Sequence, residues 1–98
     1  MGQPIELRGI AVIGDVALFD TDRSISGQDG ESFSSEAEAR QGTSFSARLA
    51  QRIFASDPSV TSVFVASNQV TVGRSGGWTD TVGVGTVIER FFLHYDGR

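Results

Sequence analysis

Few side chains in this sequence could do covalent or ligating chemistry, and their spacing limits what that chemistry is. His94 is the only histidine, and there is no cysteine. A general base needs a nucleophile within reach and a third group to orient it. Asp96 is only a sequence neighbour of His94, so the pattern reads as a histidine near the C-terminal dipole of a helix. Asp20, Asp22, Asp29 and Glu31 share one polar stretch and could in principle hold a hard cation. Asp20-Thr21-Asp22 has the opening of a calcium loop. The glycine and the closing glutamate that such a loop requires are not at their positions. A solvated acidic loop is the plainer reading. Gly73-Arg74-Ser75-Gly76-Gly77 is glycine-rich, but it lacks the lysine and spacing of a phosphate loop. Ser24, Ser26, Ser34 and Ser35 read as loop and cap residues. An iron–sulfur cluster or soft metal needs thiolates, and none exist here. No cofactor, metal site or catalytic residue is expected.

Composition narrows the class further. Ninety-eight residues, 39% apolar and 20% charged, suit one soluble globular domain spanning residues 1–98. The net charge is −4 and the sequence has no lysine. Its eight cationic residues are all arginines, scattered singly along the chain, so nucleic-acid binding is not expected. No apolar run approaches a membrane span. The first residues lack the basic start and apolar stretch of a signal peptide. The expected location is cytoplasmic.

The elements that would position these residues are legible from periodicity. Ile5 to Phe19 reads as two strands, interrupted by Gly9 and by Gly14-Asp15 as turn or bulge residues. Residues 20–32 read as a long flexible loop. Ser35 and Glu38 have capping-box spacing ahead of a short helix over 36–40, closed by Gly42. Thr43 or Ser44 would cap a second helix running to about Ala55, with Phe45, Leu49 and Ile53 on one stripe. Asp57-Pro58 stops it. Val60–Ala66 and Val70–Arg74 form a hairpin across Ser67-Asn68-Gln69, with the positive φ assigned to Asn68. Alternation puts Val63, Val65, Val70 and Val72 on one face and Phe64, Ala66 and Thr71 on the other. A last helix runs from about Val84 to Tyr95, starting near Gly83 and Gly85. The expected fold is α+β: a two-layer sandwich of order β-β-α-β-β-α, with a largely antiparallel four-stranded sheet and helices on one face. Its core would be the four valines against Leu49, Ile53, Val87, Ile88 and Phe91. Trp78 reads as a lid over the sheet end.

Several segments carry a family likeness. They are Phe33-Ser34-Ser35-Glu36-Ala37-Glu38-Ala39-Arg40, the helix Ser44 to Phe54, the hairpin Val60 to Val72, and Trp78 before the closing helix. Together these resemble the N-terminal domain of the Nfu/NifU-type iron–sulfur scaffold proteins, over roughly Phe33 to Phe92. The family's "S-P-L-A-x-x-L-F" helix is similar to Ser44–Phe54. Its "V-x-x-V-F-F-G-x-D-F-I-T-V" hairpin coincides at Val63, Phe64, Val70, Thr71 and Val72. The early "N-P-x-T-L-K-F" is missing save for Phe19. Gly83 and Gly85 replace helix formers and a proline. The family's cluster-binding Cys-x-x-Cys domain is absent.

The resemblance implies a role beside iron–sulfur assembly or delivery without ligation of the cluster. The expected function is therefore a non-enzymatic accessory or protein-interaction domain, its partner an iron–sulfur scaffold or recipient protein. Phe64, Ala66 and Thr71 on the uncovered sheet face would bind that partner, with Arg74 at the rim favouring an acidic one; the other reading of Phe64 is partial cover by the N-terminal strand or the long loop. The alternative is a small-ligand or enzymatic domain built on the Asp20–Glu31 loop or His94. A structural role in oligomerisation is a third reading.

Overall fold

The computed structural model describes residues 7–22 and 30–96, with side chains as far as Phe91. The chain is α+β, as the periodicity predicts, with three helices and an antiparallel sheet. The sheet has five strands rather than four: β1 (Leu7–Ile13), β2 (Val16–Thr21), β3 (Glu31–Phe33), β4 (Val60–Ala66) and β5 (Gln69–Arg74). Their spatial order is β1-β2-β5-β4-β3. The additional strand, β3, takes the end of the stretch expected to be loop and pairs Phe33 with Val63 on β4. Three residues are too short to show an alternation pattern. Thr21 also belongs to a strand, so the connection between β2 and β3 is shorter than residues 20–32. Most of it, 23–29, lies outside the described residues.

The helices are α1 (Glu36–Arg40), α2 (Phe45–Ser56) and α3 (Val82–Asp96). Local chemistry fixes their starts. Ser35 Oγ accepts from the Glu38 backbone N–H at 3.1 Å, and Ser44 Oγ accepts from the Ala47 N–H at 3.1 Å. Each satisfies one amide that the first helical turn leaves unpaired. The Glu38 carboxylate closes its half of the cap on Ser34, accepting from both its N–H and its hydroxyl at 2.7 Å. Those two bonds hold the Glu38 carboxyl below its ordinary value, the hydroxyl bond contributing most. At α3, Asp80 Oδ1 accepts from the Val82 N–H at 2.9 Å.

Directly paired residues share a sheet face. Ala17 pairs with Val72 and Phe19 with Val70, and the same two valines pair with Val63 and Val65. All six side chains are fully buried. Onto them pack Leu49, Ala50 and Ile53 of α2, and Val84, Ile88 and Phe91 of α3. Val87 is only partly buried against this core. Helix α2 lies on β4 and β3, and α3 packs beside α2. A Cβ on Gly85 would meet Leu7 Cδ1 at 3.0 Å and Phe19 Cε2 at 3.9 Å. Glycine there lets α3 approach the β1–β2 end of the sheet. Trp78 is partly buried over that end. Its ring meets Phe19 edge-on at 6.1 Å, and its indole N–H donates to the Asp15 carbonyl at 3.0 Å.

The hairpin turn has two residues, Ser67-Asn68, and the positive φ falls on Ser67 (55°) rather than Asn68. Asn68 is occupied otherwise. Its side-chain amide donates to the Thr21 carbonyl at 3.1 Å, while its own carbonyl accepts from the Thr21 N–H and hydroxyl at 2.8 and 2.9 Å. This clasp joins the end of β2 to the β4–β5 turn and satisfies the hydroxyl of buried Thr21.

Candidate functional site

The second sheet face carries the side chains that alternation turns away from the core. Reading the register across all five strands gives one row: Ala11, Leu18, Thr71, Phe64 and Ser32. A flanking row holds Ile13, Val16, Gly73 and Ser62, and another holds Gly9, Asp20, Gln69 and Ala66. Phe64 is 40% exposed and Ile13 is 70% exposed, while Leu18, Val16, Thr71 and Ala66 are half-buried. The face is semi-apolar and nearly uncharged. Among the described residues of these rows the one carboxylate, Asp20, accepts from the Gln69 side-chain amide at 2.9 Å.

Phe64, Ala66 and Thr71 are thus brought together as the alternation predicts. Phe64 is flanked on one side by Thr71 and on the other by Ser32. A Cβ on Gly30 would lie 2.9 Å from Phe64 Cζ and 2.8 Å from Ala66 Cβ. The backbone entering β3 therefore touches the tip of the aromatic ring. Gly30 has φ +74°, a conformation glycine adopts at little cost.

Arg74 does not join this patch. It pairs with Val60 rather than continuing the Phe64 row, beside an irregularity between Val60 and Ser62. Its guanidinium donates from Nε to Asp57 Oδ2 at 2.7 Å and from Nη1 to the Gly77 carbonyl at 2.8 Å. The Arg74 bond, with the Ser59 N–H donating to Asp57 Oδ1 at 2.9 Å, holds the Asp57 carboxyl below the usual range. Arg74 thereby ties the sheet to the end of α2.

Leu18, Val16, Ala11 and Ile13 belong to the same face, although no periodicity marks them. In Val16-Ala17-Leu18-Phe19 both faces are apolar, so alternation cannot tell the buried face from the open one.

Asp20 and Glu31, at the two ends of the polar stretch, are not brought together. Asp20 lies on the open face. Glu31 pairs with Val65 on the opposite face and accepts from the Ser44 hydroxyl at 2.6 Å. Strands β5 and β4 also separate β2 from β3. Among the described residues no group of three or more His, Asp or Glu could hold a metal ion. Asp29, Ser24 and Ser26 lie outside the described residues, and His94 falls in the last turn of α3, beyond the described side chains. No described helix is long and apolar enough to cross a membrane.

Against known proteins, the chain matches no family model, no curated protein and no solved structure. The likeness to the Nfu/NifU-type N-terminal domain therefore rests on the residues quoted for it.

Proposed function

We propose that this chain is a non-enzymatic protein-interaction domain whose partner docks on the open sheet face around Phe64. The single observation behind this is the five-strand row Ala11–Leu18–Thr71–Phe64–Ser32, with a 40%-exposed aromatic near one end and almost no charge around it. The helices cover one side of the sheet over β2, β5 and β4 but leave Ile10 and Val12 of β1 exposed, and the apolar residues of the other side gain from burial when a partner arrives. The family resemblance supplies the partner class: an iron–sulfur scaffold or recipient protein, which would provide the cluster's thiolates. With no cysteine of its own, the chain would hold and orient that partner.

Affinity capture from the native host tests this, with wild type compared against two variants. Phe64→Ala should weaken capture by about 1–3 kcal/mol and leave the thermal melt close to wild type. Ile53→Ala, at a fully buried position, should lose about 2–5 kcal/mol of stability while its folded fraction still binds. Unchanged capture by Phe64→Ala, or its unfolding, would remove the sheet face from the proposal. A stoichiometric cluster assembled on the chain alone from iron and sulfide would overturn the non-ligating role.

A further inference from the structure

Singly spaced in sequence, four of the eight arginines come together in space. Arg40, Arg48, Arg52 and Arg90 line two adjoining hollows on the helices, of about 350 and 230 Å³, which share Arg52, Ala55 and Phe91. Arg48 and Arg52 stand one turn apart on α2, Arg90 faces them from α3, and Arg40 closes the end from α1. Ala55, Val87 and Phe91 contribute apolar surface to the larger hollow. The Phe91 ring is held against Phe45 at 5.0 Å.

Among the described lining residues the one carboxylate is Glu36, already paired with Arg40 at 3.0 Å. Arg52 and Arg90 thus face the larger hollow, with no carboxylate among its described lining residues, in a chain of net charge −4. Among the described residues no carboxylate is paired with Arg52 or Arg90. An arrangement that concentrates cations over an apolar floor is complementary to carboxylates flanking an apolar side chain.

We infer that this groove docks an acidic segment of a partner protein, its carboxylates meeting Arg52 and Arg90 and an apolar side chain entering the hollow beside Val87 and Phe91. A nucleic acid fits less well. It needs a longer cationic track for its phosphates, and the net negative charge of the remaining surface opposes it. The groove lies on the helices, away from the sheet face that carries Phe64, so this inference stands or falls independently of the function proposed above.

The probe is a fluorescein-labelled nonapeptide, Asp-Glu-Leu-Glu-Glu-Phe-Leu-Glu-Asp. A second peptide with Leu and Phe replaced by Ser, and a labelled twelve-nucleotide DNA strand, accompany it. Fluorescence anisotropy should show saturable binding of the first peptide that weakens with added salt. The Ser peptide should bind about tenfold more weakly, and Arg52→Glu/Arg90→Glu should lose at least about tenfold. Amide chemical shifts should move at Arg52, Ala55, Thr86 and Val87. Because a charge-reversed protein could misfold, Arg52→Gln/Arg90→Gln is run beside it, with thermal melts on both; it should lose affinity at unchanged stability. No binding, binding unaffected by the Gln variant, equal binding of the Ser peptide, or tighter binding of the DNA would each overturn the inference.

Discussion

Asp57 does three things at once: it ends α2, accepts from the Ser59 N–H and anchors Arg74. The pair is largely shielded, with Asp57 22% and Arg74 29% exposed at the side chain, so it is less screened than a free surface pair. Because the folded carboxyl titrates below its ordinary value, the fold favours the ionised form. The stability this adds is present above the ordinary aspartate pKa of about 3.9 and fades as pH falls through the lowered folded value. Asp57→Asn should therefore cost about 1 kcal/mol at neutral pH, and the gap from wild type should close below about pH 4. Thermal melts at neutral and acid pH check this; a gap of the same size in acid would show that packing rather than charge is lost. The same residues show why Arg74 could not be placed from sequence. Strand alternation fixes a face only while the ladder is regular, and the irregularity at Val60/Ser62 intervenes just where Arg74 pairs.

At the scale of elements, the helices and the β4–β5 hairpin were legible because each carries a strong period and a chemical stop. Ser44, Asp57-Pro58 and the valine alternation mark α2, β4 and β5 to within a residue or two of their positions. What escaped was short or two-faced. Strand β3 has three residues, and β2 is apolar on both sides. The groove of arginines escaped because it joins three helices, and no spacing along the chain records which helix faces lie side by side. Helix α3 shows a different limit. Gly83 and Gly85 look like weak points, each costing about 1 kcal/mol relative to alanine, yet they differ in space. A Cβ at Gly83 meets nothing, whereas one at Gly85 meets Leu7 Cδ1 at 3.0 Å. The Leu7 methyl ends a flexible side chain and can shift, so Gly85→Ala should stay within about 1 kcal/mol of wild type as helix propensity offsets crowding. Gly85→Leu should lose about 1–3 kcal/mol from overpacking against Phe19 and Leu7. Urea denaturation of both variants separates the two effects, and equal stability of Gly85→Leu and wild type would mean α3 does not need this close approach.

At the scale of the whole molecule, the strand order sets how the two ends of the chain meet. Hairpins β1–β2 and β4–β5 each join neighbours in sequence, but the centre of the sheet is the pairing of β2 with β5. The clasp beside that seam links residues 47 positions apart, Thr21 and Asn68. Closing so large a loop costs chain entropy before its contacts repay it, and such long-range pairings slow folding. On that account the two hairpins and α2 should form before the β2–β5 seam, which carries the clasp. Thr21→Val keeps the strand and removes the hydroxyl's bond to Asn68. By this reasoning it should speed unfolding and leave the folding rate nearly unchanged. Stopped-flow measurements showing the whole loss in the folding arm would place the seam in the nucleus instead. Until that seam closes, β2 and β5 are both open strand edges, each able to accept a strand from another copy. If the seam closes last, those two transient edges add to the permanent ones of β1 and β3, and misassembly during folding should rise in variants that delay the seam.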